Sequence, residues 1–148
     1  MDEIKIIKLD SYKTNDISDS HVNGKLTVIW RDYDKLIDFS PKMLYQTSVN
    51  SGEIKGPHLH TERDSYFVCM QGKVVFIIKD KEGHYHEIES SEENPIMVKI
   101  PKGTSSAHIN PTEKISSVLA IASIAWKPND DEMKNVFFDD YDWKKWQK

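Results

Sequence analysis

An internal disulfide is excluded, because Cys69 is the sole cysteine of the chain. A lone thiol suits a reducing compartment, so a cytoplasmic location is expected. Long apolar runs are missing as well. None approaches the roughly 20 residues of a membrane span. The opening MDEIKIIKLD mixes charges and has no apolar centre, so it does not read as a secretory signal. No basic block occurs, and 20 Lys plus Arg against 24 Asp plus Glu leave a formal charge of -4. That balance argues against general nucleic-acid binding. Internal repeats and low-complexity segments are absent too. No strand pattern alternates with a long helical one, which argues against an α/β fold.

What is present is a globular composition, 38% hydrophobic and 30% charged over 148 residues, enough for one domain with a real core. Alternation and turn residues predict about ten short strands. They are Ile4–Leu9, Leu26–Arg31 after Gly24, Met43–Val49, Glu53–His60 and Ser65–Met70. Lys73–Lys79, His84–Glu89, Met97–Ile100, Ser105–Ile109 and Ser117–Ala125 complete the set. Lys13–Asn23 and Asp32–Pro41 read as loops, and Asp80-Lys81-Glu82-Gly83 as a hairpin turn. Asp131–Lys148 reads as a helical or packed tail. Such a train implies an all-β sandwich or small barrel, able to enclose one ligand site.

The stretch GPHLH, Gly56 to His60, carries the chemistry. Residues two apart on a strand share a face, so His58 and His60 point the same way. On a later strand His108 shares a face with Ser106. Paired imidazoles serve a metal site, acid/base chemistry or simple ligand binding. They also occur as solvated surface, and His84-Tyr85-His86, beside a charged hairpin tip, reads that way.

The context of these histidines resembles the cupin superfamily. GPHLHTERDSYFVCMQG, closing at Gly72, resembles its first motif, and IPKGTSSAHIN, with Pro101, Gly103 and His108, resembles the second. The resemblance implies a single-domain jelly-roll barrel over residues 1–148. It divides into N-terminal strands (1–50), exchanged in a homodimer, a core barrel (51–126) and a tail (127–148). Where metal-binding cupins carry a glutamate, this chain has Asp64 and Ser65. A metal, if present, would be held by His58, His60 and His108; otherwise neither metal nor cofactor is expected.

The chain is more similar to two cupin groups that act on nucleotide-linked 4-keto-6-deoxy sugars. Lys55-Gly56-Pro57-His58 and the Pro128–Glu132 and Phe138–Trp143 segments resemble dTDP-4-dehydrorhamnose 3,5-epimerases. Gly56–His60, Cys69-Met70-Gln71-Gly72 and Ala122-Ser123 with Trp126 resemble the WxcM-like sugar 3,4-ketoisomerases. Both reactions begin by taking a proton from carbon 3, beside the carbon 4 ketone. The resemblance implies His58 as base, with Asp140 or Asp139 as its carboxylate partner, and His60 and Tyr45 as further catalytic groups. It implies Lys55 and Arg63 for the diphosphate, with Tyr66, His108 and Trp126 as substrate contacts. Ala120 stands where the epimerases have a reprotonating tyrosine. The tail segments favour the epimerase, acting at carbon 3 alone or at carbons 3 and 5. A 3,4-ketoisomerase, a metal-dependent cupin and a non-catalytic binding cupin are the alternatives. The expected ligand is a nucleotide sugar, with no nucleic-acid or membrane partner.

Overall fold

Short strands joined by tight turns build nearly the whole chain in this computed structural model, which describes residues 3–147. β1 (Lys5–Lys8), β2 (Ser11–Asn15), β3 (Val22–Thr27) and β4 (Met43–Val49) come first. β5 (Ile54–His60), β6 (Ser65–Gln71), β7 (Lys73–Lys79) and β8 (Tyr85–Ser91) follow. β9 (Ile96–Ile100), β10 (Ser105–Ile109), β11 (Ser116–Ala122) and β12 (Met133–Asn135) complete the strands, and a single 3-10 turn covers Trp143–Trp146. One five-stranded sheet has the order β1-β9-β6-β11-β4, and a second has the order β12-β5-β10-β7-β8. All ladders are antiparallel. The two sheets enclose one core, and this is the expected all-β cupin barrel. No helix among the described residues is long and apolar enough to cross a membrane.

Both sheets are covered on both faces. Phe67, Cys69, Val98 and Val118 meet Val74, Phe76, Ile78 and Ile88 in the interior. Tyr66, Val68, Met97 and Ile121 point the other way and are covered by Leu9, Ile29, Ile37 and Phe39. Val75, Ile77, Ala107 and Ile109 point outward from the second sheet, beneath Phe138, Val136, Trp143 and Trp146 of the tail. Strands buried on two faces lose the alternation of a half-buried strand. SYFVCMQ and KVVFIIK show the result, since each reads as one apolar run. Edge strand β4 keeps the alternation, with Met43, Tyr45 and Thr47 half-buried and Leu44, Gln46 and Ser48 exposed.

Three expectations are corrected here. Lys13–Asn23 is not a loop, because it holds most of a hairpin in which β2 pairs with β3 outside both large sheets. Its residues are exposed on both faces, so no hydrophobic period marked it. The second strand accordingly lies at Val22–Thr27 and ends before Arg31. The barrel also takes in β4, from ahead of residue 51. Residues 1, 2 and 148 of the expected domain lie outside the described residues.

Candidate active site

A bulge on β5 orients the site. On β10, Ser106 lies opposite His58 but His108 lies opposite Lys55, so one residue of β5 is extra between the two pairs. The extra residue falls at Gly56-Pro57, joined by a cis peptide bond. Gly56 has φ +92°, and a Cβ there would come within 2.9 Å of the Ser106 carbonyl oxygen. Strict alternation would put Lys55 and His58 on opposite faces. The bulge returns both to the interior. Lys55, His58 and His60 therefore line one cavity of about 390 Å³ between the sheets, with Tyr45, Arg63, His108 and Trp126.

The two histidines have different partners, both from the C-terminal segment. β12 pairs with β5, setting Asn135 opposite His58 and Met133 opposite His60. His58 donates from Nδ1 to Asn135 Oδ1 at 3.1 Å. His60 donates from Nδ1 to Glu132 Oε1 at 2.7 Å, with Oε2 at 3.0 Å. Glu132 is buried, and the backbone N–H groups of Glu62 and Arg63 also point to its Oε2. Arg63 is 6% exposed, with Nε 3.6 Å from Glu132 Oε1. It faces Tyr45, and a buried Arg–Glu pair needs such surrounding donors to offset desolvation.

Burial dominates the protonation of the site. It lowers the pKa of His58, helped by the charges of His60 and Lys55 and opposed by the bond to Asn135. It pushes His108 down to about 4, again with Lys55 and His58 adding to the effect. His108 is thus a neutral imidazole, edged by Phe67 and Phe76. Burial raises Tyr45, and the Arg63 charge opposes that rise. Among the described residues three buried side-chain atoms have no hydrogen-bond partner: Arg63 Nε, Ser65 Oγ and His108 Nε2. All three residues line this cavity.

The structure brings together Tyr45, Lys55, His58, His60, Arg63, His108 and Trp126 and leaves out Tyr66 and Asp140. Tyr66 lies one residue from the inward Phe67 and so faces outward, where its hydroxyl donates to Asp38 Oδ1 at 3.0 Å. Asp140 is held on the far side of the second sheet by the Tyr85 hydroxyl, and Asp139 lines a groove with Pro57 and Trp143. Neither aspartate partners His58. Asn135 stands at His58 instead, and Glu132 at His60. Glu132 was visible as the end of the Pro128–Glu132 segment, whereas nothing local marked Asn135.

The residues do not fit the metal alternative. Among the described residues, His58, His60 and His108 form no cluster with ligand atoms within 4.8 Å of one another. Asp64 faces away, accepting from the Lys102 N–H at 2.8 Å. Cys69 is no alternative ligand or nucleophile, since burial pushes its thiol up to about 11.

Comparison with known proteins places the chain and its fold. The family model described as FdtA: WxcM-like, C-terminal matches residues 2–141. No curated protein matches. Among solved structures, a dTDP sugar isomerase from Desulfovibrio desulfuricans superposes with TM-score 0.81 at 12% identity, covering 95% of this chain and 90% of that one. QdtA, a sugar 3,4-ketoisomerase from Thermoanaerobacterium thermosaccharolyticum in complex with TDP, gives 0.69 at 19% identity, covering 90% and 88%. ChmJ, a 3'-monoepimerase from Streptomyces bikiniensis in complex with dTDP-quinovose, gives 0.74 at 14% identity, covering 90% and 69%.

Proposed function

The chain belongs to the FdtA family, WxcM-like, C-terminal, and from that premise we propose that it isomerises a nucleotide-linked 4-keto-6-deoxy sugar by moving the ketone from carbon 4 to carbon 3. The observation that carries this reading is the pairing of His58 and His60 on one wall of a cavity. Every buried orphan polar atom found among the described residues lines that same cavity. Buried polar groups left without a partner need a ligand or water, and a hexose ring presents several hydroxyls. The neighbours described as sugar isomerases and as bound to TDP or a dTDP sugar support the substrate class.

His58 is the base. Its Nδ1 proton sits on Asn135, which leaves the Nε2 lone pair to take the carbon 3 proton. The electron pair of that C–H bond becomes the carbon–carbon double bond, and the ketone oxygen takes up negative charge. Arg63 and Tyr45 are the donors for this oxyanion. Arg63 is too buried for the diphosphate role expected of it, and Lys55, exposed at the β4–β5 seam beside Thr47 and Ser48, suits the phosphates better. Trp126, 62% exposed on the cavity wall, is placed for the nucleotide base. The epimerase expected from the tail segments loses support because Asp140 lies off the site and Ala120 supplies no acid.

Proton NMR of dTDP-4-keto-6-deoxyglucose with the protein in heavy water tests the reading. Deuterium entry with the ketone moved to carbon 3 is the expected result. Exchange at carbons 3 and 5 without migration identifies an epimerase instead, and no exchange overturns the substrate class. His58→Ala is expected to lower the rate by about 100-fold or more. An unimpaired variant removes His58 from the role of base.

A further inference from the structure

We propose that Glu132 and Asn135 are positioning residues that give His58 and His60 separate jobs: His58 moves the carbon-bound proton, and His60 moves a proton between the two oxygens. This rests on the ketone-migration reading above. The argument starts from the unlike partners. Two imidazoles share one wall, one strand and one cavity, yet one is held by a neutral amide and the other by a carboxylate. An amide oxygen accepts the Nδ1 proton and favours a charged ring only through its dipole, which burial outweighs at His58. A carboxylate accepts the same proton with a full negative charge and fixes the ring from two oxygens.

The other charged and titratable groups facing the pair preserve this difference. Lys55 and His108 lie beside His58, and the Lys55 charge disfavours a protonated His58. Arg63 faces Glu132 and Tyr45, but two backbone N–H groups and His60 hold the carboxylate in place. His58 is thus kept as a neutral acceptor, and His60, held at Nδ1 by Glu132, presents Nε2 to the cavity.

The protons balance. His58 takes the carbon 3 proton, and the C–H pair passes through the new double bond to oxygen 4. His60 takes the proton from the carbon 3 hydroxyl and gives one to oxygen 4. The electron pair left on oxygen 3 forms the new ketone, the double bond opens towards carbon 4, and His58 returns its proton there. Both histidines end as they began, and no oxidant or further reactant enters.

The two jobs separate experimentally, because carbon 3 exchange needs only the first step. In heavy water, Glu132→Gln is expected to lower ketone migration by about 100-fold while lowering deuterium entry into recovered substrate by less than about tenfold. Asn135→Ala is expected to lower both together, and Glu132→Asp to restore part of the migration. Parallel loss of exchange and migration in Glu132→Gln, in a protein that still folds, overturns the inference. No exchange by the unaltered protein overturns the parent reading instead. Nitrogen NMR of histidine in the unaltered protein tests the assignment without any variant. It is expected to show His58 neutral with its proton on Nδ1, and a proton on Nε2 instead overturns it.

Discussion

Lys99 carries an ammonium into the wall of the first sheet, where its side chain is 4% exposed. Its Nζ lies 2.6 Å from Asp38 Oδ2, which also receives Lys5 at 3.0 Å. Burial alone would raise the Asp38 carboxyl, but the bonds from Lys99, Lys5 and Tyr66 together hold it well below the usual carboxylate range. A depressed folded-state pKa gives stability that is present above the unfolded pKa and lost as pH falls. Asp38→Asn is therefore expected to cost about 1–2 kcal/mol at pH 7, a value limited by the partial exposure of Asp38. The difference from the parent protein should shrink below about pH 4. Thermal unfolding at pH 7 and pH 3 checks this, and an equal deficit at both removes the ion pair as its cause. The lowered His58 has its own signature. A base that stays neutral to lower pH moves the acidic limb of kcat/KM below the imidazole value of 6.5. A pH–rate profile with that limb above 7 contradicts the environment described. At this scale parity made the shared face of His58 and His60 legible in the sequence. It did not place Lys55, because the bulge at Gly56-Pro57 breaks the count. It did not exclude Tyr66 from the site either, because β6 is apolar on both faces and no polar residue betrays which side is inner.

The C-terminal segment shows how one element serves two faces of a sheet. β12 feeds Asn135 and the adjoining Glu132 to the cavity side. The residues after it turn over the opposite side, where Phe138 stacks on Trp143 with centroids 6.2 Å apart and meets Tyr85 edge-on at 5.1 Å. Phe138→Ala is expected to cost about 3–4 kcal/mol of stability, as for a buried aromatic. Turnover per folded molecule should change little at low temperature. Asp140→Asn, on that outer face, is expected to keep turnover within about threefold, since surface changes away from a site act weakly. Chemical denaturation and the NMR assay measure both, and a 100-fold loss in Asp140→Asn returns that aspartate to the site. The tail was legible only as a packed segment. Its three-residue strand, MKN, is too short and too exposed to carry a period, so pairing with β5 is decided by tertiary contact.

Across the whole molecule the all-β class was readable, because turn residues at short intervals leave room for little else. Most central strands fell within a residue or two of their expected bounds. The β2–β3 hairpin was not, and it stands apart from both sheets with Tyr12 and Leu26 paired across its ladder, each about half exposed. A lone two-stranded hairpin is marginal in water. We propose that the homodimer expected from the sequence covers it with a second copy. Light scattering is expected to give twice 17.2 kDa, and Tyr12→Asp with Leu26→Asp a single chain. A monomer at micromolar concentration removes that proposal.

The double cladding of the barrel also sets a schedule for synthesis. β6 and β7 emerge from the ribosome as nearly continuous apolar, strand-forming chain, after the segments that cover the first sheet. The cover for Val75 and Ile77 comes about 60 residues later, with Phe138 and Trp143. At ordinary elongation rates that interval lasts about 3–12 s. Through it, nascent chains on neighbouring ribosomes carry the same bare strand face, so yield in an expression host should depend on elongation speed and on chaperones that hold unfolded chains.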